Sequence, residues 1–205
     1  MNYIGSKTLE TERLVLKKSG VEEQKRLWEI LCIPEVHRYY LTCKFGFDWE
    51  GQRPYFEKKA ENSGDPSIFQ WSIFIKDNNK CIGQISVQSG HSEDPLVTDD
   101  AIRGIGWFID PEEQGKGYAT EAATKVLDYM FNEVEINGIS SGAVKDNIGS
   151  CRIFEKLGFS KIGEIEKESP YTFYDGILTF SKYGLTKEYY FNRRLNNTPW
   201  HRLRI

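Results

Sequence analysis

No uninterrupted apolar run in this 205-residue chain approaches the ~18 residues of a membrane-spanning helix. The opening stretch, Met1 to Arg13, lacks the apolar core of a secretory signal, so a cytoplasmic protein with no membrane contact is expected. Cysteine is scarce. Cys32, Cys43, Cys81 and Cys151 form no CxxC pair, which speaks against a disulfide scaffold or a metal framework and for reduced, mostly buried thiols. Histidine is scarcer still: His37, His91 and His201 lie far apart, none has a partner at metal-ligand spacing, and no metal is expected. A basic excess is missing too. Lys plus Arg number 27 against 30 Asp plus Glu, a net charge of −3, so a nucleic-acid partner is not expected and any anionic ligand needs a local site. Neither repeats nor a Pro/Gly/Ser-rich linker divides the chain, and one domain is expected across 1–205.

The composition, 39% apolar with 18 glycines, is that of an ordinary globular domain. Leu14 and Leu16 alternate with polar neighbours in a first strand over 9–17. A helix follows over 21–31, ended by Pro34, and a second over 49–62. The period then changes to two: Phe69, Trp71, Ile73 and Ile75, then Ile82, Ile85 and Val87, flank Asp77-Asn78-Asn79 as a β-hairpin. A polar loop over 89–100 leads to an interior strand over 102–109. An apolar stripe from Ala119 to Phe131 marks a long helix over 113–132. Strands over 139–144, 159–166 and 174–183 and a helix over 149–157 complete the order: β, two helices, three strands, α, β, α, β, β.

The informative junction is Ile109-Asp110-Pro111-Glu112-Glu113-Gln114-Gly115-Lys116-Gly117-Tyr118-Ala119, where a strand ends and a long helix begins. The first N–H groups of a helix have no intrahelical acceptor and sit at the positive end of its dipole, so such a turn suits a phosphate. Gly115 and Gly117 let the backbone come close, and Lys116 is either a further charge or a solvated side chain. The P-loop pattern fails because Gly117, not Ser or Thr, follows Lys116. The dinucleotide fingerprint fails because Tyr118, Ala119 and Thr120 follow Gly117 and no strand-end acid lies about 20 residues on. An unliganded Gly-rich turn is the competing reading.

Gln114-Gly115-Lys116-Gly117-Tyr118-Ala119 resembles the (Q/R)xxGx(G/A) segment of the GNAT N-acyltransferase superfamily. Asn147 to Phe159 (NIGSCRIFEKLGF) is similar to its NxxSxxxxEKLGF segment. Leu9-Glu10-Thr11-Glu12-Arg13-Leu14 and Pro34-Glu35-Val36 resemble the RimJ/RimL branch, so the resemblance runs over 9–184 and leaves 185–205 as a basic tail with Arg193, Arg194, Arg202 and Arg204. It implies an α/β fold of mixed α+β type, a single-domain mixed sheet splayed in the middle and flanked by helices, with acyl-CoA in the gap. It also implies an acetyl-CoA-dependent N-acetyltransferase acting on a primary amine, as monomer or homodimer. Gly115 to Ala119 would hold the pyrophosphate, Gln114 would shape the turn, and Asn147 would bond the pantetheine arm. The strand edge at Trp107, Phe108 and Ile109 would pair with pantetheine amides and polarise the thioester carbonyl.

The family's usual proton donor is a Tyr seven residues after the Asn, and here that position is Phe154. The resemblance shifts the role to Ser150, whose competing reading is a helix N-cap. The general base falls to Glu168, with Glu164, Glu166 or a water chain as rivals. Cys151, with no His nearby in sequence, is set aside as a nucleophile. Open alternatives for the acceptor are a protein N-terminus, an aminoglycoside, a polyamine or an amino acid. A non-catalytic acyl-CoA binder is the competing class. The mild net acidity, gathered at the acceptor mouth, would favour a cationic amine.

Overall fold

The computed structural model describes residues 1–40, 48–89, 102–168 and 176–195. Among the described residues eight strands form one sheet: β1 (Leu9–Glu10), β2 (Leu14–Lys17), β3 (Phe69–Ile75), β4 (Cys81–Ser89), β5 (Ile102–Ile109), β6 (Gly138–Val144), β7 (Ser160–Glu168) and β8 (Ile177–Thr186). Their order is β1-β2-β3-β4-β5-β6-β8-β7. Among the described residues six α-helices flank it: α1 (Val21–Leu31), α2 (Pro34–His37), α3 (Trp49–Glu61), α4 (Tyr118–Tyr129), α5 (Ile148–Leu157) and α6 (Lys187–Leu195). The sheet is antiparallel except between β5 and β6, which pair in parallel only at Ile102 with Gly138 and Arg103 with Ile139. Beyond those two pairs the strands part. Ser141 Oγ bridges the start of the divergence by donating to the Ile105 carbonyl at 2.6 Å, and the sheet is splayed as expected.

Alternation along the strands divides the core between the two faces. Leu14, Leu16, Trp71, Ile73 and Ile85 pack under Ala122, Ala123, Val126 and Leu127 of α4. On the opposite face Phe74 and Phe108 pack under Leu27, Ile30 and Leu31 of α1. A bulge between Ile73 and Phe74 brings Gly83 opposite Ile109, where a Cβ on Gly83 would lie 2.1 Å from the Phe108 carbonyl oxygen, so only glycine fits.

Several boundaries differ from expectation for local reasons. The strand expected over 9–17 is two strands that pair with each other, because Thr11 to Arg13 turns and the Thr11 N–H donates to the Leu14 carbonyl at 3.0 Å. Pro34 begins α2 at its first position, after α1 has already stopped at Leu31. The helix expected from residue 113 begins at Tyr118, since Gly115 (φ +75°) and Gly117 (φ +85°) are left-handed and cannot lie inside a helix. Glu113 instead closes a separate 3₁₀ turn, Pro111–Glu113. The last strand begins at Ile177, and 174–175, where an earlier start was expected, lie outside the described residues.

The basic tail expected over 185–205 begins as strand and then helix. Tyr190 of α6 is 6% exposed, stacks on Phe131 at 4.9 Å and donates its O–H to Asp128 Oδ1 at 2.7 Å. Arg193 lies over Gly158, the left-handed cap of α5, placing a cation at that helix's negative end. Arg202 and Arg204 lie outside the described residues, and so do Cys43, His91 and His201.

Candidate active site at the splayed strands

The turn between β5 and α4 is held from outside, so its amides stay open. Asp110, 2% exposed, is ion-paired to Arg26 of α1 and accepts the Glu112 N–H at 3.1 Å. Glu113, 8% exposed, binds Lys116 at 2.7 Å and Lys80 at 2.9 Å, and these two cations hold its carboxyl below the usual range. Lys116 is therefore turned back onto Glu113 rather than over the turn, leaving its N–H as the group available there. Gln114 Nε2 donates to the Ile109 carbonyl at 2.9 Å, closing the turn from within.

Arg13 does most of the bracing. Its Nη1 donates to the Lys116 carbonyl at 3.0 Å, its Nε to Glu121 Oε2 at 2.7 Å, and its guanidinium lies 4.6 Å from the centre of the Tyr118 ring. Thr11 Oγ1 donates to Glu121 Oε1 at 2.5 Å and the Arg13 N–H to the same oxygen at 3.0 Å. Burial pushes the Glu121 carboxyl up, but these three donors outweigh it and hold the group below the ordinary glutamate range. Thr11, Arg13 and Glu121 were not among the expected site residues. The signal was present in Leu9 to Leu14, which carries the branch resemblance, but nothing in the sequence shows that β2 starts beside the helix that Gly117 opens.

The first bond of α4 runs from Glu121 N–H to the Gly117 carbonyl, 3.0 Å. The N–H groups of Gly115 to Thr120 accordingly have no hydrogen-bond partner among the described residues. A Cβ on Gly115 would meet no atom within 4 Å, so the turn is open on that side, and the donor set of neutral amides at a helix start suits a pyrophosphate.

Above this turn the exposed edge of β5 faces the splay. The Asp110 N–H bonds the Ile82 carbonyl on β4, whereas the carbonyls of Ile105 and Ile109 accept from Ser141 and Gln114 on the other side. Alternation then turns the backbone of Trp107 and the N–H of Ile109 into the gap and that of Phe108 toward β4. The Phe108 ring is buried and meets Tyr40 edge-on at 4.8 Å.

Across the gap, Asn147 caps α5, its Oδ1 accepting the Ser150 N–H at 3.1 Å. Ser150 is therefore not the cap; it sits in the first turn, half-buried, with no hydroxyl partner among the described residues. Phe154, 2% exposed, stacks on Tyr183 at 4.8 Å and contacts Trp107 at 4.8 Å. Burial, with the neighbouring Cys151, raises the Tyr183 phenol. Cys151 is buried beside the carbonyls of Val144 and Lys145.

Glu168 ends β7 opposite Ile177 and is exposed, as is Glu166. Glu164 binds Lys161 at 2.6 Å and Lys145 at 3.0 Å, which hold it ionised to lower pH than an ordinary glutamate. Cys81 is pushed up to about 11 by burial, which suits packing rather than reaction. Among the described residues no group of His, Cys, Asp and Glu gathers as a metal would require, and no described helix is long and apolar enough to cross a membrane.

Known proteins resemble this chain in sequence and in fold. The chain is 33% identical over 124 residues to the probable N-acetyltransferase YjcK of Bacillus subtilis (strain 168), a match spanning 58% of this chain and 62% of that protein, under two thirds of its length. It is 29% identical over 161 residues to the uncharacterized N-acetyltransferase p20 of Bacillus licheniformis, 76% of this chain and 84% of that one. Two solved structures show the same fold. A GNAT-family acetyltransferase from Bacillus anthracis superimposes with a TM-score of 0.72 at 24% identity, covering 89% of this chain and 99% of that one. Mycobacterium smegmatis RimJ, in complex with CoA-disulfide, does so with a TM-score of 0.72 at 14% identity, covering 96% and 97%. The model of the acetyltransferase (GNAT) domain matches residues 13–160, which contain both the braced turn and the splay above it, and the chain belongs to that family.

Proposed function

We propose that the chain transfers an acetyl group from acetyl-CoA to a primary amine by direct attack within a ternary complex. The observation that carries this reading is the run of unpartnered amides from Gly115 to Thr120, directly below an exposed β5 edge. The amides take the pyrophosphate, the Trp107 and Ile109 backbone takes the pantetheine arm, and the Asn147 amide nitrogen, free of the capping bond, adds a donor. The CoA-disulfide held by the RimJ neighbour supports the same ligand.

In the reaction the amine nitrogen attacks the thioester carbonyl, the C–N bond forms, and the C–S bond breaks with its electron pair leaving on sulfur. A donor N–H placed in advance lowers the cost of the charge on the carbonyl oxygen. Ser150 delivers a proton to the departing thiolate, directly or through water; Phe154 has none to give. Glu168, or water leading from it, removes the proton from the amine. The resemblance to the RimJ/RimL branch brings a protein α-amine into the acceptor set alongside small amines.

Thiol release from acetyl-CoA with a broad panel of amines tests the reading. Turnover with at least one amine is expected; tight CoA binding with no turnover on any amine would identify a non-catalytic binder instead. Gly117→Glu strains a left-handed position and aims its Cβ at the Arg13 guanidinium that braces the turn, so it should abolish CoA binding, and unchanged affinity would refute the cradle. Ser150→Ala should lower kcat with little change in the KM for acetyl-CoA.

A further inference from the structure

Arg13 braces the glycine turn without spending all of its donors. Its Nε and Nη2 lie 2.7 Å and 2.6 Å from Glu121 Oε2, and its Nη1 donates to the Lys116 carbonyl at 3.0 Å. Three of the five N–H groups of the guanidinium are used in this way, and one on each terminal nitrogen has no partner among the described residues. The side chain is 44% exposed, so a ligand can reach it. Its position is nonetheless fixed. Glu121 holds one edge, and the Tyr118 ring centre lies 4.6 Å from the guanidinium carbon. A held guanidinium with N–H groups to spare is a preorganised contact for an anion.

Its place on the turn matters as much. A Cβ on Gly117 would lie 3.4 Å from Arg13 Nη2. Covalent geometry puts the Gly117 and Tyr118 amide nitrogens within about 3.5 Å of that same point, so Nη2 is no more than about 7 Å from either. One phosphate, accepting bonds of about 2.9 Å at two oxygens that are themselves about 2.5 Å apart, bridges donors up to about 8 Å apart. Other cations around the turn pair with acids that precede the glycines: Lys116 and Lys80 with Glu113, and Arg26 with Asp110. Arg13, from the residue before β2, is the cation that lies against Gly117 itself.

We infer that Arg13 is a phosphate-binding residue, its two unspent N–H groups meeting the pyrophosphate of the acyl donor beside the Gly117 and Tyr118 amides. The inference rests on the cradle proposed above and adds a charged contact to its neutral amides. Arginine suits the place because its planar fork holds a carboxylate along one edge and keeps donors for a second anion, whereas a lysine brings a point charge with no fixed edge. Glu121 then aims the guanidinium, and the cation offsets the repulsion that a bare carboxylate in the first turn of α4 would exert on the phosphates.

The test separates the cation from the brace. CoA is titrated calorimetrically into the parent, into Glu121→Gln, which keeps Arg13 but frees it from its carboxylate, and into Arg13→Gln/Glu121→Gln, which lacks both charges, each shown to be folded by its urea transition. Glu121→Gln is expected to bind CoA about tenfold more tightly than the double variant. That gap should shrink as ionic strength rises, because salt screens a charged contact and leaves a neutral brace alone. Arg13→Lys/Glu121→Gln keeps the charge and loses the fork; it should fall between the two with the salt dependence retained, and it carries the comparison if the doubly neutral variant does not fold. Dephospho-CoA, which lacks the 3′-phosphate, should show the same gap, and a gap confined to CoA would overturn the pyrophosphate placement in favour of the 3′-phosphate. Equal affinities with and without Arg13, or a gap that salt leaves unchanged, would reduce Arg13 to a brace and overturn the inference while the cradle stands. Failure of the folded parent to bind CoA at all would sink the cradle and this inference with it.

Discussion

At the scale of single residues, Glu121 shows how a turn made of flexible parts is held in one shape. Gly115 and Gly117 give the cradle its shape at the cost of conformational freedom, and the Thr11, Arg13 and Glu121 contacts restore order from the side. The folded carboxyls of Glu121 and Glu113 titrate below the ordinary value of ~4.3, so the stability they contribute is complete above that pH and is lost as pH falls through their lower folded values. Glu121→Gln should cost about 1–2 kcal/mol of unfolding free energy at pH 7 and raise the KM for acetyl-CoA. The urea midpoints of variant and parent should converge below about pH 4, where the parent loses the same contribution. A gap that stays constant with pH would show that Glu121 acts by packing and not by charge.

Among the elements, those whose signal is local were legible in the sequence. The bounds of α1, 21–31, and the hairpin around Asp77 to Asn79 match because amphipathic spacing and turn residues determine them within a few positions. The start of α4 was misplaced because Pro111 to Glu113 has good helix-start chemistry and the left-handed glycines interrupt only afterwards. For α6 no signal stood out: its Tyr-Tyr-Phe run lies among charged residues, and its partners, Asp128 and Phe131, are some 60 positions away. The glycine turn proposed to hold the pyrophosphate is legible as a strand-to-helix turn for the same reason as α1, since it is one contiguous stretch. A cavity between α3 and the sheet is not, being assembled from α3, β3 and β4.

The helix α1 also carries a defect that only the packed structure reveals: Gln24 is fully buried, and neither its amide nitrogen nor its oxygen has a hydrogen-bond partner among the described residues. An unsatisfied buried amide costs about 1–3 kcal/mol, and an apolar side chain of the same shape removes that cost. Gln24→Met should therefore raise the urea midpoint, by about 1 kcal/mol in stability. A lower midpoint would mean that the amide is satisfied by bound water.

For the molecule as a whole, the end of α4 proposed to bind CoA and the end that α6 stabilises are separate. Gly117 opens the helix at the turn; Asp128, near its other end, and Phe131, in the helical turn that follows α4, form one side of the α6 contact, about 20 Å away at 1.5 Å per residue. The cradle is anchored through Arg13 and Glu121 to the start of β2, and α6 is anchored through Tyr190 to the core beneath Phe131. No described bond joins the two anchors except through the helix itself. Tyr190→Ala should accordingly cost about 3–5 kcal/mol by opening a cavity, whereas Tyr190→Phe, which keeps the ring and loses the bond to Asp128, should cost about 1 kcal/mol. Both proteins, while folded, should bind CoA with the parent's affinity. Calorimetric titration of CoA well below each variant's melting temperature separates the two effects, and weaker binding by Tyr190→Ala in step with its stability would show that α4 transmits strain from one end to the other.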